Sequence, residues 1–210
     1  MTAPYYQDDA VTIYHGDCRE ILPTLPHFDL VLTDPPYGIA DVWKGGGGHG
    51  WGNAMAETAD RNAWDKEPPS DEELLRVIEA GKDAVVWGGN YFNLRPARGW
   101  LVWNKPERNF TLAEAELAWT TRDNVIRVFD CNRSDVGREH PTQKPLSLMR
   151  WCLELFPKAE TVLDPFMGSG TTLRAAKDCG KTAVGIEADE RWCELAASRM
   201  GQESLFGTAA

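Results

Sequence analysis

The most informative part of the chain reads Thr161-Val162-Leu163-Asp164-Pro165-Phe166-Met167-Gly168-Ser169-Gly170-Thr171-Thr172. Its apolar, β-branched beginning predicts a strand that ends at Asp164, and a helical window opens at Thr171. In the turn between them, Gly168 and Gly170 let a ligand approach the backbone closely, and the first turn of the helix offers unpaired N–H groups. A strand, a glycine-rich turn and a helix in this order predict a ligand-binding α/β unit.

An acidic residue follows the next predicted strand, Thr182–Ile186. This residue, Glu187, comes 19 positions after Gly168, where nucleotide-binding units place a carboxylate that accepts hydrogen bonds from ribose hydroxyls. Glycines that serve only tight packing would not require Asp164 and Glu187 as well. The third glycine of the dinucleotide fingerprint is absent after Gly170, which disfavours a nicotinamide cofactor. The pattern favours S-adenosylmethionine, a nucleoside cofactor without a phosphate.

Strand and helix patterns alternate along most of the chain. Further strands are predicted where apolar and β-branched residues cluster, at Val11–Tyr14, Phe28–Thr33, Ala84–Trp87 and Gly99–Trp103. Helices are predicted over Asp71–Gly81, Leu146–Leu155, Thr171–Cys179 and Glu190–Met200. This alternation predicts a mostly parallel sheet that is covered on both faces. An antiparallel hairpin attached to the sheet is predicted from Leu117–Thr121 and Val125–Phe129.

Length and composition predict a single domain over residues 1–210, since 42% of the residues are hydrophobic and 26% are charged. The chain shows no long apolar run and no secretory signal, so we expect it in the cytoplasm. Five cysteines without a C-x-x-C pair predict neither disulfides nor a metal site. Residues 38–70 include four consecutive glycines and lack periodicity, which predicts a long mobile loop.

The net charge of −10 disfavours a nucleic-acid partner at first sight, but the charge is unevenly distributed. Residues 1–94 hold 6 basic against 16 acidic residues, and residues 151–210 hold 6 against 9. Residues 95–150 hold 10 against 7, so their net charge is positive. A DNA partner would bind this middle segment, although ordinary variation of charge along a chain would also explain the counts.

A second motif follows the predicted strand Phe28–Thr33 and reads Asp34-Pro35-Pro36-Tyr37. The two prolines remove backbone donors and fix φ, so the carbonyls of the turn form a rigid set of acceptors. Asp34 adds a carboxylate and Tyr37 a flat aromatic face. The exocyclic amine of a nucleic-acid base donates two hydrogens beside a planar ring, which complements this turn. A plain proline loop would require neither the acid nor the aromatic residue.

These motifs resemble the amino-group DNA methyltransferases, which modify adenine N6 or cytosine N4. The segment from Asp34 to Tyr37 is similar to their catalytic tetrapeptide, and the glycine-rich turn is similar to their S-adenosylmethionine loop. Gly16-Asp17-Cys18 and His140-Pro141-Thr142-Gln143-Lys144-Pro145 resemble two further segments of the family. The resemblance implies catalytic roles for Asp34, Pro35, Pro36 and Tyr37. It implies cofactor contacts from Asp17, Cys18, Asp34, His140, Thr142, Lys144, Asp164, Pro165, Phe166, Gly168, Ser169, Gly170, Thr171, Thr172 and Glu187.

The order of the motifs, with the catalytic turn first, resembles the permuted β class of this family. The implied fold is a Rossmann-like, mainly parallel seven-stranded sheet with one antiparallel strand. The implied partner is double-stranded DNA, and a homodimer would double the contact surface. A separate recognition domain has no room in the chain, so recognition falls to the loop 38–70 and to basic residues of the middle segment. The candidate DNA contacts are Arg95, Arg98, Lys105, Arg108, Arg122, Arg133 and Arg138.

The predicted activity is methyl transfer from S-adenosylmethionine to N6 of a flipped adenine in DNA, in a nucleoid-associated enzyme of the restriction–modification type. An acid at the first position of the tetrapeptide resembles the adenine branch of the family, and cytosine N4 is the alternative. Two other classes remain open: a catalytically silent DNA-binding module, and a methyltransferase acting on RNA or on a protein amide through a similar turn.

Overall fold

The computed structural model describes residues 3–39, 68–108, 113–132 and 143–201. The strands are β1 (Tyr6–Gln7), β2 (Val11–His15), β3 (Phe28–Thr33), β4 (Gly81–Trp87), β5 (Trp100–Asn104), β6 (Ala115–Thr120), β7 (Arg127–Asp130), β8 (Thr161–Asp164) and β9 (Thr182–Glu187). The helices are α1 (Cys18–Ile21), α2 (Asp71–Glu79), α3 (Leu146–Glu154), α4 (Thr171–Asp178) and α5 (Glu190–Gly201), with short 3-10 helices at Leu22–Thr24 and Gly89–Tyr91. No helix within these ranges is long and apolar enough to cross a membrane.

The strands form one sheet in the order β1-β2-β9-β8-β3-β4-β6-β5-β7. From β2 to β4 in this order every neighbouring pair is parallel, and so is the pair of β5 and β7. β6 runs antiparallel to both β4 and β5, and β1 runs antiparallel to β2. The mainly parallel α/β sheet predicted from the sequence is confirmed. Its central part, from β2 to β5, has seven strands with β6 as the antiparallel one, and β1 and β7 extend it at the edges.

The predicted hairpin of Leu117–Thr121 and Val125–Phe129 is wrong. β6 and β7 overlap these segments, but β5 lies between them, pairing antiparallel with β6 and parallel with β7. The physical reason is burial: Leu101 and Trp103 of β5 are buried and need neighbours on both sides, whereas Val128 of β7 is 59% exposed. The strand with the larger apolar content therefore takes the inner position, and β7 becomes an edge strand.

Alternating side chains of β3 supply the core on both faces of the sheet. Leu30 and Leu32 pack on one face, in the cluster that also contains the buried side chains of α3, α4 and α5. Val31 points to the other face, where it packs with Leu74 and Val77 of α2. Each such side chain contributes about 1.5–3 kcal/mol when fully buried. A strand buried on both faces is held rigidly, and it positions the turn that follows it.

Candidate active site

The carboxyl ends of three parallel strands bring the predicted site residues together. β3 ends just before Asp34, β8 ends at Asp164 and β9 ends at Glu187. Thr33 Oγ1 donates to Asp164 Oδ1 at 2.7 Å, so the first two strand ends are in direct contact. We call this side of the sheet the carboxyl edge. Open α/β sheets bind their ligands at this edge.

The glycine-rich turn uses its two glycines for different purposes. Gly168 and Gly170 both have left-handed backbones, with φ of 50° and 78°. A Cβ on Gly170 would lie 2.8 Å from Ala196 Cβ, whereas a Cβ on Gly168 would meet no atom within 4 Å. Gly170 thus serves close packing against α5, and Gly168 borders open space. The Gly168 N–H donates to Glu187 Oε2 at 3.0 Å, which ties the turn to the end of β9.

The two acids of this unit differ in their surroundings. Asp164 is buried and accepts hydrogen bonds from Thr33 and from the Phe166 N–H, at 2.7 and 3.2 Å. Burial raises the pKa of Asp164 to about 6, against the opposing effect of hydrogen bonds from Thr172 and Thr33. Glu187 accepts from the backbone N–H groups of Gly168 and Asp189, and burial raises its pKa as well. Asp164 therefore links the ends of β3 and β8, while Glu187 lies beside the glycine-rich turn.

Several of the predicted cofactor residues hold the turn together. Ser169 is buried, and its hydroxyl accepts from the Arg199 guanidinium of α5 at 3.0 Å. Thr172 is buried and hydrogen-bonds to Asp164. Thr171 is buried at the start of α4, and Pro165 is buried in the turn. Phe166 and Gly168 are partly exposed, so they are the members of this turn that a ligand can reach most directly.

Asp17 and Cys18 lie at the end of β2, the neighbour of β9. Asp17 caps α1 by accepting from the Arg19 N–H at 2.8 Å, and its carboxylate pairs with the Arg19 guanidinium. Cys18 is partly exposed, and burial raises the pKa of its thiol to about 11. The register of β2 and β9 pairs His15 with Glu187, so this segment lies on the Glu187 side of the carboxyl edge.

The Asp34 carboxylate is held by two side chains at once. The Tyr37 hydroxyl donates to Oδ1, and Lys144 Nζ lies 2.5 Å from Oδ2. Lys144 also donates to the Tyr37 hydroxyl at 3.2 Å. The Asp34 side chain is 22% exposed and that of Lys144 only 5%, so the carboxylate remains accessible while the ammonium is enclosed. The resemblance implies that Lys144 contacts the cofactor, whereas in the structure its ammonium contacts Asp34 and Tyr37, in the turn after β3.

Glu116, at the start of β6, extends this cluster and was missed from the sequence. Its Oε2 lies 3.1 Å from Lys144 Nζ, and its Oε1 pairs with Lys105. Because β6 is antiparallel, its first residues lie where the parallel strands end. That topology is the signal that could have revealed Glu116, but the predicted strand began one residue later, at Leu117. Lys105, predicted to contact DNA, is buried with its ammonium 4.3 Å from the centre of the Trp103 ring.

The charges of this cluster determine its protonation. Burial raises the pKa of Asp34 and the Lys144 charge opposes that rise, with the net effect upward. Burial would also raise the pKa of Glu116, but the charges of Lys144 and Lys105 prevail and hold it at about 2. Burial disfavours the charged form of Lys144, yet Asp34 and Glu116 raise its pKa well above the ordinary value. Lys144 and Glu116 are thus ionised at neutral pH. Burial also raises the Tyr37 pKa, which keeps that hydroxyl protonated.

The Tyr37 ring stacks on Tyr91, which follows β4. The two ring centres are 4.9 Å apart with an angle of 20° between the planes, and Phe92 meets Tyr37 edge-on at 6.3 Å. Tyr91 is 51% exposed. Below the stack, Gly88 has a φ of 66°, and a Cβ there would lie 2.1 Å from Tyr37 Cε1. The position of Tyr37 therefore depends on Gly88, and Tyr91 covers one face of the Tyr37 ring.

The predicted DNA-contacting arginines that lie in the described ranges are dispersed over the molecule. Arg108 lies at the carboxyl edge, where its guanidinium donates to Asn104 Oδ1 at 2.8 Å. Arg95 packs 5.7 Å from the centre of the Trp119 ring. Arg98 and Arg122 lie at the opposite edge of the sheet: Arg122 donates to the Leu155 carbonyl, and Arg98 pairs with Asp123 on the surface. The structure does not bring these last two near Asp34.

Four predicted site residues lie outside the described part of the chain, namely Arg133, Arg138, His140 and Thr142. Most of the predicted loop 38–70 also lies outside it, since the described ranges omit residues 40–67.

The sheet and its carboxyl edge define a Rossmann-like methyltransferase fold, and solved structures share it. M1.HpyAVI in complex with SAM matches with a TM-score of 0.61 at 22% identity, covering 91% of this chain and all of that chain. The cytosine-N4-specific PvuII DNA methyltransferase matches with 0.63 at 16% identity, covering 97% and 90%. TTHA0409 from Thermus thermophilus, complexed with S-adenosyl-L-methionine, matches with 0.55 at 22% identity, covering 89% and 93%. At these identities the likeness shows the fold.

Sequence comparisons confirm the resemblance to the amino-group DNA methyltransferases. The DNA methylase family model for N6 and N4 enzymes matches residues 118–198. The Type II methyltransferase M.ScaI of Streptomyces caespitosus is 26% identical over 97% of this chain and 86% of its own length. The Type II methyltransferase M2.DpnII of Streptococcus pneumoniae is 25% identical over 97% and 94%. The likeness to these relatives therefore extends over nearly the whole chain.

Proposed function

We propose that this protein is a DNA methyltransferase of the permuted amino-group type that methylates N6 of an adenine flipped out of double-stranded DNA. The observation that carries the proposal is the contact between two turns at the carboxyl edge. The acceptor turn, with Asp34 and Tyr37, follows β3, and the glycine-rich turn follows the adjacent strand β8. The hydrogen bond from Thr33 to Asp164 links them directly. A group held by one turn can thus react with a group held by the other.

The residues of the glycine-rich turn fit S-adenosylmethionine. Open space beside Gly168 leaves room for a ligand against the backbone, and the Glu187 carboxylate at its border suits ribose hydroxyls. The Glu187 carboxylate, held by backbone N–H groups, suits a cationic group. When bound, S-adenosylmethionine supplies a methyl group attached to a positively charged sulfur. Phe166 and Gly168 would hold it from the turn, with Asp17 and Cys18 beside them.

Asp34 carries the acceptor chemistry in this proposal. The amine of adenine is a poor nucleophile because its lone pair is delocalised into the ring. A carboxylate and the Pro35 carbonyl that accept its two hydrogens would draw the nitrogen toward a tetrahedral geometry. Asp34 would also offset the positive charge that develops on that nitrogen. Each carboxylate oxygen has a second lone pair, so the amine can bind without displacing Tyr37 or Lys144.

Tyr37 supplies the stacking surface for the base. In the structure its ring already carries an aromatic partner, since Tyr91 lies against it at 4.9 Å. Tyr91 is half exposed and can rotate into solvent without opening the core. We propose that the flipped base replaces Tyr91 on the face of Tyr37.

DNA contacts are assigned to the basic residues that this geometry permits. Arg108 lies at the carboxyl edge near Lys105 and Asn104, and it is the first candidate for a phosphate contact. Arg133 and Arg138 remain candidates on the basis of the sequence. The homodimer, the recognition role of loop 38–70 and the association with the nucleoid also remain predictions.

Mass spectrometry of nucleosides tests the proposal. Unmethylated duplex DNA is incubated with the protein and isotopically labelled S-adenosylmethionine, then digested. We expect labelled N6-methyladenine. Labelled N4-methylcytosine would retain the acceptor chemistry and overturn the choice of base. Cofactor binding by calorimetry with no labelled nucleoside would overturn the DNA substrate and favour a silent module or an RNA or protein substrate.

A further inference from the structure

The ammonium of Lys144 has its hydrogen-bonding capacity filled inside the protein. It has three N–H donors, and three oxygens lie within reach. They are Asp34 Oδ2 at 2.5 Å, Glu116 Oε2 at 3.1 Å and the Tyr37 hydroxyl at 3.2 Å. The side chain is 5% exposed. Because all three N–H donors are used within the protein and the side chain is buried, Lys144 has no donor left for a bound ligand. This argues against the cofactor contact that the resemblance implies.

The four charges of this cluster alternate in sign along a chain of contacts. Asp34 touches Lys144, Lys144 touches Glu116, and Glu116 touches Lys105, which is itself buried. The members come from the turn after β3, from the residue before Pro145 and α3, from β6 and from the end of β5. Asp34 and Lys144 are 110 residues apart in sequence. Such a network fixes both the position and the charge of each member.

We propose that Lys144 is a positioning residue that keeps the Asp34 carboxylate ionised and oriented for the acceptor amine, and that Glu116 tempers this effect by sharing the ammonium. The proposal rests on the proposed function, since it concerns the reaction of Asp34. A protonated Asp34 would present a hydroxyl where the amine requires an acceptor. The enzyme must therefore hold a half-buried carboxylate in its charged form, and an enclosed cation at 2.5 Å does this.

The neighbours of Asp34 determine the direction in which each substitution should shift its pKa. Lys144, before α3, lowers its pKa, and Glu116 on β6 raises it. The Tyr37 hydroxyl of the same turn donates to the carboxylate and also lowers its pKa, while Asp164 on β8 is a further acid near it. Activity that needs the Asp34 carboxylate is lost as the pH falls through its pKa. Removing the Lys144 charge must move this loss to higher pH, and removing the Glu116 charge must move it to lower pH.

The test is the pH dependence of kcat for wild type, Lys144→Met and Glu116→Gln, with Lys82→Met as control. Lys82 is an exposed lysine at the opposite end of β4. We expect the acidic limb of Lys144→Met to move up by about one to three pH units. The limb of Glu116→Gln should move down, and that of Lys82→Met should not move. Affinity for S-adenosylmethionine, measured by calorimetry, should be unchanged in all four proteins.

Two results would overturn the proposal. One is a loss of cofactor affinity in Lys144→Met with no movement of its pH profile, which would mean that Lys144 contacts the cofactor. The other is a movement of both variants in the same direction, which would indicate general damage to the site. Lys144→Arg keeps the charge and should keep most of the wild-type profile, so it decides the matter if Lys144→Met fails to fold.

A measurement without catalysis separates this proposal from the proposed function. Carbon-13 NMR of the Asp34 carboxyl group follows its titration directly in wild type, Glu116→Gln and Lys144→Arg. A lower midpoint in Glu116→Gln supports the proposal even if the wild-type protein methylates no DNA. If the Asp34 midpoint in Glu116→Gln equals that of wild type, the proposal is refuted even if the protein is an active methyltransferase.

Discussion

The glycine-rich turn after β8 and the acceptor turn after β3 lie side by side at the carboxyl edge, but different forces hold them. Backbone geometry and hydrogen bonds from uncharged donors fix the first: the Gly168 N–H donates to Glu187, and the Thr33 hydroxyl donates to Asp164. Ionised side chains from distant parts of the chain fix the second, through Lys144 on Asp34. A turn held by its backbone tolerates changes of nearby charge, whereas a turn held by ion pairs depends on each partner.

The largest contrast is expected between Asp34→Ala and Glu187→Ala. Removing the Asp34 carboxylate should lower kcat by about 10³-fold or more, because no acceptor remains for the amine, while cofactor affinity is kept. Glu187→Ala should instead weaken cofactor binding and retain much of kcat at saturating cofactor. Calorimetry and single-turnover methylation measure the two effects. Full activity in Asp34→Ala would refute the acceptor chemistry, and equal effects of both variants on cofactor affinity would erase the distinction between the turns.

A second prediction concerns Asp164, the charged group on which the glycine-rich turn does depend. Its pKa is raised from 3.8 to about 6 by burial, so the folded protein binds a proton that the unfolded chain has released between these values. The free energy of unfolding should therefore fall as the pH rises from 4 to 7, by about 3 kcal/mol from this group.

Asp164→Asn removes that titration. Urea unfolding at pH 4 and pH 7 should show that wild type loses stability relative to Asp164→Asn over this range. A constant difference between the two proteins would mean that the pKa of Asp164 is not raised.

A smaller effect is expected from adding a methyl group beneath the acceptor turn. A Cβ on Gly88 would lie 2.1 Å from Tyr37, so Gly88→Ala must displace the ring. Misplacement of a positioning group by about 1 Å costs roughly 10²-fold in rate. Gly168→Ala is the matched change in the other turn, where the added methyl group meets no atom within 4 Å. Both glycines have left-handed backbones, so each substitution also costs about 1–2 kcal/mol.

Kinetics and thermal unfolding of the two glycine variants distinguish them. Both variants should lower stability, because both glycines have left-handed backbones. Gly88→Ala should also lower kcat with unchanged cofactor affinity, whereas Gly168→Ala should lower cofactor affinity. An unaffected kcat in Gly88→Ala would show that Tyr37 does not need its present position.

The same contrast explains how much the sequence could predict. The strands that frame the glycine-rich turn and the helix α4 were predicted within a residue or two, because apolar periodicity and the positions of Gly168 and Gly170 are local signals. Four- and two-residue elements such as α1 and β1 are too short to show a period. The pairing of β5 with β7 depends on which apolar strand is buried, and neighbouring positions in sequence do not reveal it.

The side-chain partners of Asp34 were the hardest part to predict. Glu116 was not predicted, and Lys105 was predicted to contact DNA, because nothing local marks a buried ion pair. Lys144 belonged to a segment that resembles a cofactor element, and only the folded chain shows its contact with Asp34. Glu116 on β6 and Lys105 just after β5 lie in the region where strand order was mispredicted, whereas Lys144 lies outside it, before α3.

The smallest predicted effect concerns Tyr91, which neither motif contains. If Tyr91 occupies the face of Tyr37 that the base needs, then the base must replace a stacked pair worth about 1 kcal/mol. Tyr91→Ala should therefore lower KM for DNA by about fivefold with little change in kcat, and Tyr91→Phe should behave like wild type. Steady-state methylation of a duplex substrate measures both. A higher KM in Tyr91→Ala would mean that Tyr91 contacts the base directly, which would make the aromatic pair a clamp and would extend the acceptor turn to the residues after β4.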